Sequence, residues 1–257
     1  MKSVLTFIAL ISLFFIDFKV FAQRKYRTKE KYPTYFGIQI RPVLPTQFIG
    51  KPSQTLQNEN YKTTINQLTG YSFGGTVRAG FTNTLAFETG IHFIQRNYHV
   101  SMAVTDSNVY AKNDLSFIAY DIPLNLLMYV QMSEKIYMNG SLGIVCSYKP
   151  TNIGILTKPG SYYSFTHTGW VKHKTGFGLN ANLGIEFRSK KCGFFYLGGS
   201  AFIPFSPVFY LTSEYKYQGF SNIVEGSVDG SYLTFDFKYF FPNTRVKENS
   251  FLNGPIE

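Results

Sequence analysis

Residues 176–188 run Gly-Phe-Gly-Leu-Asn-Ala-Asn-Leu-Gly-Ile-Glu-Phe-Arg, with apolar and small or polar side chains alternating at every step. A period of two marks an extended strand, whose side chains point to opposite faces in turn, so one face is greasy along its length and the other polar. The pattern recurs in eight segments, at about residues 35–44, 70–81, 85–98, 116–130, 136–148, 174–188, 193–205 and 231–241. Each is close to the length that a tilted membrane strand needs. One face carries Phe36, Ile38, Ile40, Tyr71, Phe73, Ile91, Phe93, Ile122, Leu124, Leu126, Leu142, Leu183, Ile185, Leu197, Phe235 and Phe237.

The connections alternate in length. Short ones fall at residues 82–84, 131–135 and 189–192, and long ones separate the remaining segments, above all 45–69 and 206–230. Short turns on the periplasmic side and long loops outside are the habit of bacterial barrels, and an even strand number returns both termini to the periplasm. Side-chain size decides which face is inside. The face opposite the greasy one holds Gly74, Gly90, Gly143, Gly184, Gly198, Ser141, Ser200, Asn139, Asn180 and Asn182, which suits a narrow lumen. A water-facing surface is expected to carry many Lys and Glu. The reading is an all-β, eight-stranded antiparallel up-and-down transmembrane β-barrel over residues 34–242, in the cell outer membrane.

The ends complete the organisation. Met1-Lys2, an apolar run at 4–16 and the small-residue site Val20-Phe21-Ala22 read as a signal peptide over residues 1–22 that is cleaved before Gln23. Asp17 and Lys19 interrupt the run before it reaches spanning length, against an N-terminal anchor. Residues 23–33 form a basic periplasmic tail with Arg24, Lys25, Arg27, Lys29 and Lys31, and residues 243–257 a periplasmic C-terminal tail. The formal charge of +10 owes much to that first cluster. It serves either as a solvated tail or to attract anionic lipid, and it is too short and too poor in organised aromatics for nucleic-acid recognition. Cys146 and Cys192 lie toward opposite ends of the barrel, beyond disulfide reach. His92, His99, His167 and His173 form no cluster of the zinc type, so no metal and no cofactor is expected.

On the polar face stand Arg41, Arg78, Glu88, Asp121, Glu186, Arg188, Asp236 and Lys238. Charges at membrane depth are costly unless paired, so a mixed-sign network filling the lumen is expected. Arg78 and Glu88 are equidistant from Asn83, which sets them opposite one another in a symmetric hairpin, and Arg41 should neighbour Asp236 or Lys238 where the last strand meets the first. The network reads as a polar plug before it reads as a gate, which disfavours a diffusion porin.

Catalytic chemistry has one weak candidate, His99, Ser101 and Asp106 near the outer end of the third segment, with a hydroxyl, a base and a carboxylate as nucleophilic catalysis requires. Three such common residues also make an ordinary polar loop rim. The aromatics Tyr162, Tyr163, Phe165 and Trp170 fall on a long loop, where they serve either as a binding surface or as an interfacial girdle.

Tyr120-Asp121-Ile122-Pro123-Leu124 is similar to the Tyr-x-Glu-x-Pro-Leu strand of the outer-membrane β-barrel domain family that includes PorT-type proteins and OmpA-type small barrels, and Phe87-Glu88-Thr89-Gly90 resembles its third strand. The resemblance implies an eight-stranded outer-membrane barrel and, for PorT-type members, association with type IX secretion. Asp121 stands where Glu is usual. The functional reading is a non-enzymatic structural or interaction component of the envelope, accessory to a secretion or assembly complex. Its partners are then outer-membrane lipids or lipopolysaccharide and an envelope protein complex, with no nucleic acid. The alternatives are a barrel enzyme modifying lipid A or phospholipid, and a small-solute channel.

Overall fold

The alternation read from the sequence becomes a closed wall in a computed structural model that describes residues 34–242 apart from 59, 83, 106–108, 151, 159–161 and 190–191. The expected leader at 1–22 and the tails at 23–33 and 243–257 lie outside the described residues. The strands are β1 (Thr34–Pro45), β2 (Ser53–Asn58), β3 (Tyr61–Gly80), β4 (Leu85–Val104), β5 (Val109–Gln131), β6 (Ile136–Tyr148), β7 (Ile153–Thr157), β8 (Tyr163–Trp170), β9 (Thr175–Ser189), β10 (Gly193–Pro204), β11 (Phe209–Tyr217), β12 (Phe220–Val228) and β13 (Tyr232–Phe240). Among the described residues no helix is long and apolar enough to cross a membrane.

Eight strands form a ring in the order β1-β13-β10-β9-β6-β5-β4-β3, which closes because β1 also pairs with β3. All of these pairings are antiparallel. The greasy face points outward: Phe36, Ile40, Ile91, Leu126, Leu142, Leu183, Leu197 and Phe235 are all exposed. Rings mark its two borders. Tyr71, Phe73, Phe93 and Tyr120 stack at one edge, and Phe81 with Phe87, and Phe195 with Tyr239 and Phe241, at the other. Tyr71 and Phe81 are ten residues apart, which at the usual rise and a ~40° tilt gives a belt about 26 Å tall, the thickness of an outer-membrane hydrocarbon layer. Just beyond the first edge the outer face turns polar, with Tyr71, Gln95, Asn97 and Ser116 joined by hydrogen bonds of 2.9–3.1 Å.

Past that border the chain departs from its sequence reading. Residues 45–69 and 206–230 were expected as loops, whereas they contain β2, the outer half of β3, β11 and β12. A bulge between Leu68 and Tyr71 shifts the inward set of β3 from Tyr61, Thr63 and Ile65 to Ser72, Thr76 and Arg78. The frame slip hides the strand's continuity, since one extra residue turns every later side chain over. Outer faces bathed in water also carry Thr, Asn, Gln and Lys in place of a greasy belt. β2 extends β3, while β12-β11-β8-β7 form a second sheet. Tyr61, Met102, Val104 and Ala111 from the first sheet meet Phe165, Tyr215 and Val224 from the second in one apolar core. The long connections are therefore a folded, two-sheet platform on the barrel's far end. Its open seams are bridged by side chains: Asn58 donates to Asn222 at 2.8 Å, and Asn113 and Thr157 exchange bonds at 2.7 and 3.0 Å.

Inside the ring, small residues make room for large ones. A Cβ on Gly184 or on Gly198 would collide with the Tyr196 ring, whose hydroxyl donates to Asn182 at 2.5 Å. Overpacking of this kind costs about 1–3 kcal/mol. Gly198→Val is accordingly expected to lower the urea midpoint of the barrel in lipid vesicles, and Tyr196→Ala in the same chain to restore part of the loss.

Candidate functional site

The lumen holds all eight charged residues singled out from the sequence, and each is buried. Five of them form one chain of alternating sign. Arg188 Nε donates to Glu186 at 2.7 Å, Arg78 reaches both Glu186 and Glu88 (2.7 Å to the latter), and Lys238 Nζ meets Glu88 at 2.5 Å. Arg78 faces Glu88 across the β3–β4 hairpin. Its bond to Glu186 crosses the ring, because β3 and β9 are opposite members of the eight. The guanidinium of Arg78 also lies 4.0 Å from the Phe240 ring centroid, and that of Arg188 4.0 Å from Tyr137. Flat cations sandwiched between carboxylates and ring faces satisfy charge and packing together.

The other three stand apart. Asp236 accepts from Ser200, from Asn182 at 2.7 Å and from Thr234 at 2.6 Å. Asp121 accepts from Ser147 at 2.6 Å and Tyr232 at 3.4 Å. Arg41 stands beside Asp236 in the β1–β13 register, as expected, since Ile40 aligns with Phe237 and Val43 with Thr234; among the described residues it makes no ion pair with that carboxylate, and its Nε has no hydrogen-bond partner.

Apolar clusters pack within the lumen toward each of its ends. At the turn end Tyr35, Leu127, Tyr129, Tyr137, Phe194 and Phe240 pack together. At the platform end Ile94, Tyr98, Phe117, Phe202, Phe209, Leu211 and Tyr232 belong to a core that runs from the barrel mouth into the platform. Sequence reasoning registered the small inward residues and missed these large ones. Tyr129, Tyr137 and Phe240 alternate with the belt on their own strands, which was the available signal.

The hydroxyl, imidazole and carboxylate do not assemble as expected. His99 Nδ1 is bonded to Asp114 at 2.6 Å, while Ser101 Oγ donates to the Thr64 carbonyl at 3.5 Å. Asp106 lies outside the described residues. Sequence reasoning missed Asp114, since the greasy alternation stops at Tyr98 and resumes at Ser116, whereas the β4–β5 pairing aligns His99 with Asp114. Of the four loop aromatics, Tyr162 is 67 % exposed and Trp170 37 %, the latter stacked on Tyr210 and donating to Thr212. Tyr163 stacks on Tyr217, its centroid 4.7 Å away. Phe165 corrects the expectation outright: it is fully buried between Tyr61 and Tyr215, because β8 continues the period of two and Phe165, His167 and Gly169 all face inward.

His167 is buried in the platform, its Nε2 against the Met102 sulfur and its Nδ1 without a partner. Burial away from water pulls its pKa down to about 4. A neutral imidazole buried in the fold but free to protonate in the unfolded chain stabilises the platform above the ordinary histidine value near 6.5; that stability drains away as the pH falls from there toward 4. Hydrogen exchange of β8 and β11 amides is expected to accelerate over that interval and the acceleration to be absent in His167→Leu; a flat profile in the wild type would refute the assignment. Burial likewise raises the Tyr61 hydroxyl above its usual value. Among the described residues no cluster of His, Cys, Asp and Glu is arranged to hold a metal, and both cysteines are free.

The outer membrane protein beta-barrel domain family matches residues 21–210. No curated protein matches the chain. Among solved structures, the outer membrane protein OprG from Pseudomonas aeruginosa is 13% identical, covering 83% of this chain and 98% of its own, with a TM-score of 0.45. The beta domain of the Bordetella autotransporter BrkA is 7% identical, covering 83% and 100%, with a TM-score of 0.29.

Proposed function

Because the chain belongs to the outer membrane protein beta-barrel domain family, we propose that it is a non-enzymatic structural or interaction component of the envelope, a sealed barrel that anchors a rigid outer platform. On this reading the leader is removed after Ala22, the short turns and both termini face the periplasm, and the platform faces outward among lipopolysaccharide. One observation carries the proposal: the long connections are folded against one another over a common core, and Tyr110, Leu156, Tyr162 and Phe220 remain exposed on them. Apolar side chains on a rigid, water-facing surface are what a protein partner uses. The resemblance of Tyr120-Asp121-Ile122-Pro123-Leu124 to the PorT-type strand makes a type IX-like secretion or assembly complex the first partner to look for.

Crosslinking in intact cells followed by affinity purification is expected to recover a defined envelope complex, with recovery reduced when Tyr110 and Tyr162 are changed to Ser. Monomer alone, in several detergents and after crosslinking, would count against the proposal. A solute channel is opposed by the two apolar clusters; stable large conductance from the purified monomer in planar bilayers would reinstate it. The contact between His99 and Asp114 favours a lipid-modifying enzyme as the second reading. Under the proposal His99→Ala leaves lipid A and phospholipid masses unchanged, whereas a product lost with that substitution would establish the enzyme.

A further inference from the structure

Charges in the barrel occupy two levels with different pairing. In the lower level Arg78, Arg188 and Lys238 each touch a carboxylate. Above it Arg41, Arg96 and Lys149 are also more than nine-tenths buried, and the ion pairs of the described residues leave out all three. Arg96 Nη1 makes a long 3.4 Å bond to the Gly230 carbonyl, and its Nε has no partner; Lys149 Nζ makes a 3.4 Å bond to the Val208 carbonyl. Asp121, at the same level, is engaged by the hydroxyls of Ser147 and Tyr232. Asp229 is half-buried and accepts from Ser231. Arg41 stands at the register of Asp236, and Asp121 acts on both Arg96 and Lys149. Those two cations thus share one deep carboxylate that neither touches in an ion pair, and desolvation is repaid only by close pairing.

Between them there is space for a counter-charge. Arg96 and Lys149 line a cavity whose other walls include Ser147, Gly176, Phe202 and Val208, with about 10 Å³ open to the centre of a water-sized occupant. That is room for a water molecule or a small ion. A side chain at Gly176 would begin 3.0 Å from Lys149 Nζ, so glycine keeps the ammonium accessible. Water would fill the void without balancing the charge.

We propose that this cavity binds a single halide-sized anion, chloride, held between Arg96 and Lys149. The same two side chains touch the carbonyls of Val208 and Gly230, one on either side of the β11–β12 hairpin. The ion therefore pins both roots of that hairpin, and with it the platform, to the barrel.

Chloride-35 line widths of the full chain in detergent test this. The wild type is expected to show excess broadening that bromide displaces and that is lost in Arg96→Gln and in Lys149→Gln, while Lys174→Gln, an exposed lysine near the site, retains it. Lys149 sits beyond the end of β6, so its substitution keeps the test decisive where Arg96→Gln does not fold. Replacing chloride by gluconate should lower the thermal midpoint of the wild type and leave Lys149→Gln unmoved. Broadening equal in wild type and Lys149→Gln overturns the proposal, as does a phospholipid that native mass spectrometry finds retained by the wild type and lost with Lys149→Gln.

Discussion

Arg78→Met is expected to destabilise the folded barrel by about 3–5 kcal/mol, because two buried carboxylates, Glu88 and Glu186, each lose charge-assisted hydrogen bonds worth about 1.5–3 kcal/mol. Two carboxylates depend on this guanidinium. Glu88 keeps Lys238 and Glu186 keeps Arg188 when it is gone, but the one link that spans the ring between β3 and β9 disappears. Methionine occupies most of the arginine's volume against Phe240 and Tyr129, so the loss reports charge more than packing. Urea titration in lipid vesicles measures it. In a double-mutant cycle with Glu186→Gln the two single losses should sum to more than the loss of the double variant, and the resulting coupling energy isolates their contact. A single variant within about 0.5 kcal/mol of wild type, the scatter of ordinary surface substitutions, would mean that the network contributes little.

Phe165→Ala should cost a similar amount, about 3–5 kcal/mol for a fully buried ring, but in a different place. The ring is wedged between Tyr61 of β3 and Tyr215 of β11, with centroids 6.1 and 5.3 Å away. It thus joins the two sheets of the platform at their common core. Loss of the ring should expose β7, β8, β11 and β12 to protease and accelerate their amide exchange, while strands of the belt keep their protection. Stability is distributed in such cooperative units. Uniform acceleration through β9 and β10 would show instead that barrel and platform unfold together.

Much of the barrel was legible because lipid imposes a simple code on its wall. Hydrocarbon demands an apolar residue at every second position, and Phe177, Leu179, Ala181, Leu183, Ile185 and Phe187 of β9 supply it without interruption. The platform obeys a fainter code. Its outer faces meet water, so strands such as β12, with Ser221 and Glu225, resemble a loop in composition. The bulge at residues 68–71 then breaks the one alternation that would have exposed the rest of β3. Of the charged residues, inward placement followed from parity alone. Their partners did not: Arg78 with Glu186 joins strands that no local spacing relates. Arg96 shares the inward parity of Glu88 within the third segment, whereas Lys149 lies just past the end of the fifth.

Closure of the ring has a bearing on biogenesis. The first strand finds its mate in the last, as Gly37 aligns with Phe240, some two hundred positions later in translation. Until the end of the polypeptide is delivered, both the leading and trailing edges expose unsatisfied amides beside a growing wall of Phe, Leu and Ile. Such an intermediate is sticky and slow to resolve, since remote pairing must precede its reward. Safe passage across the aqueous compartment before insertion therefore calls for an escort that shields those edges until the final residues arrive.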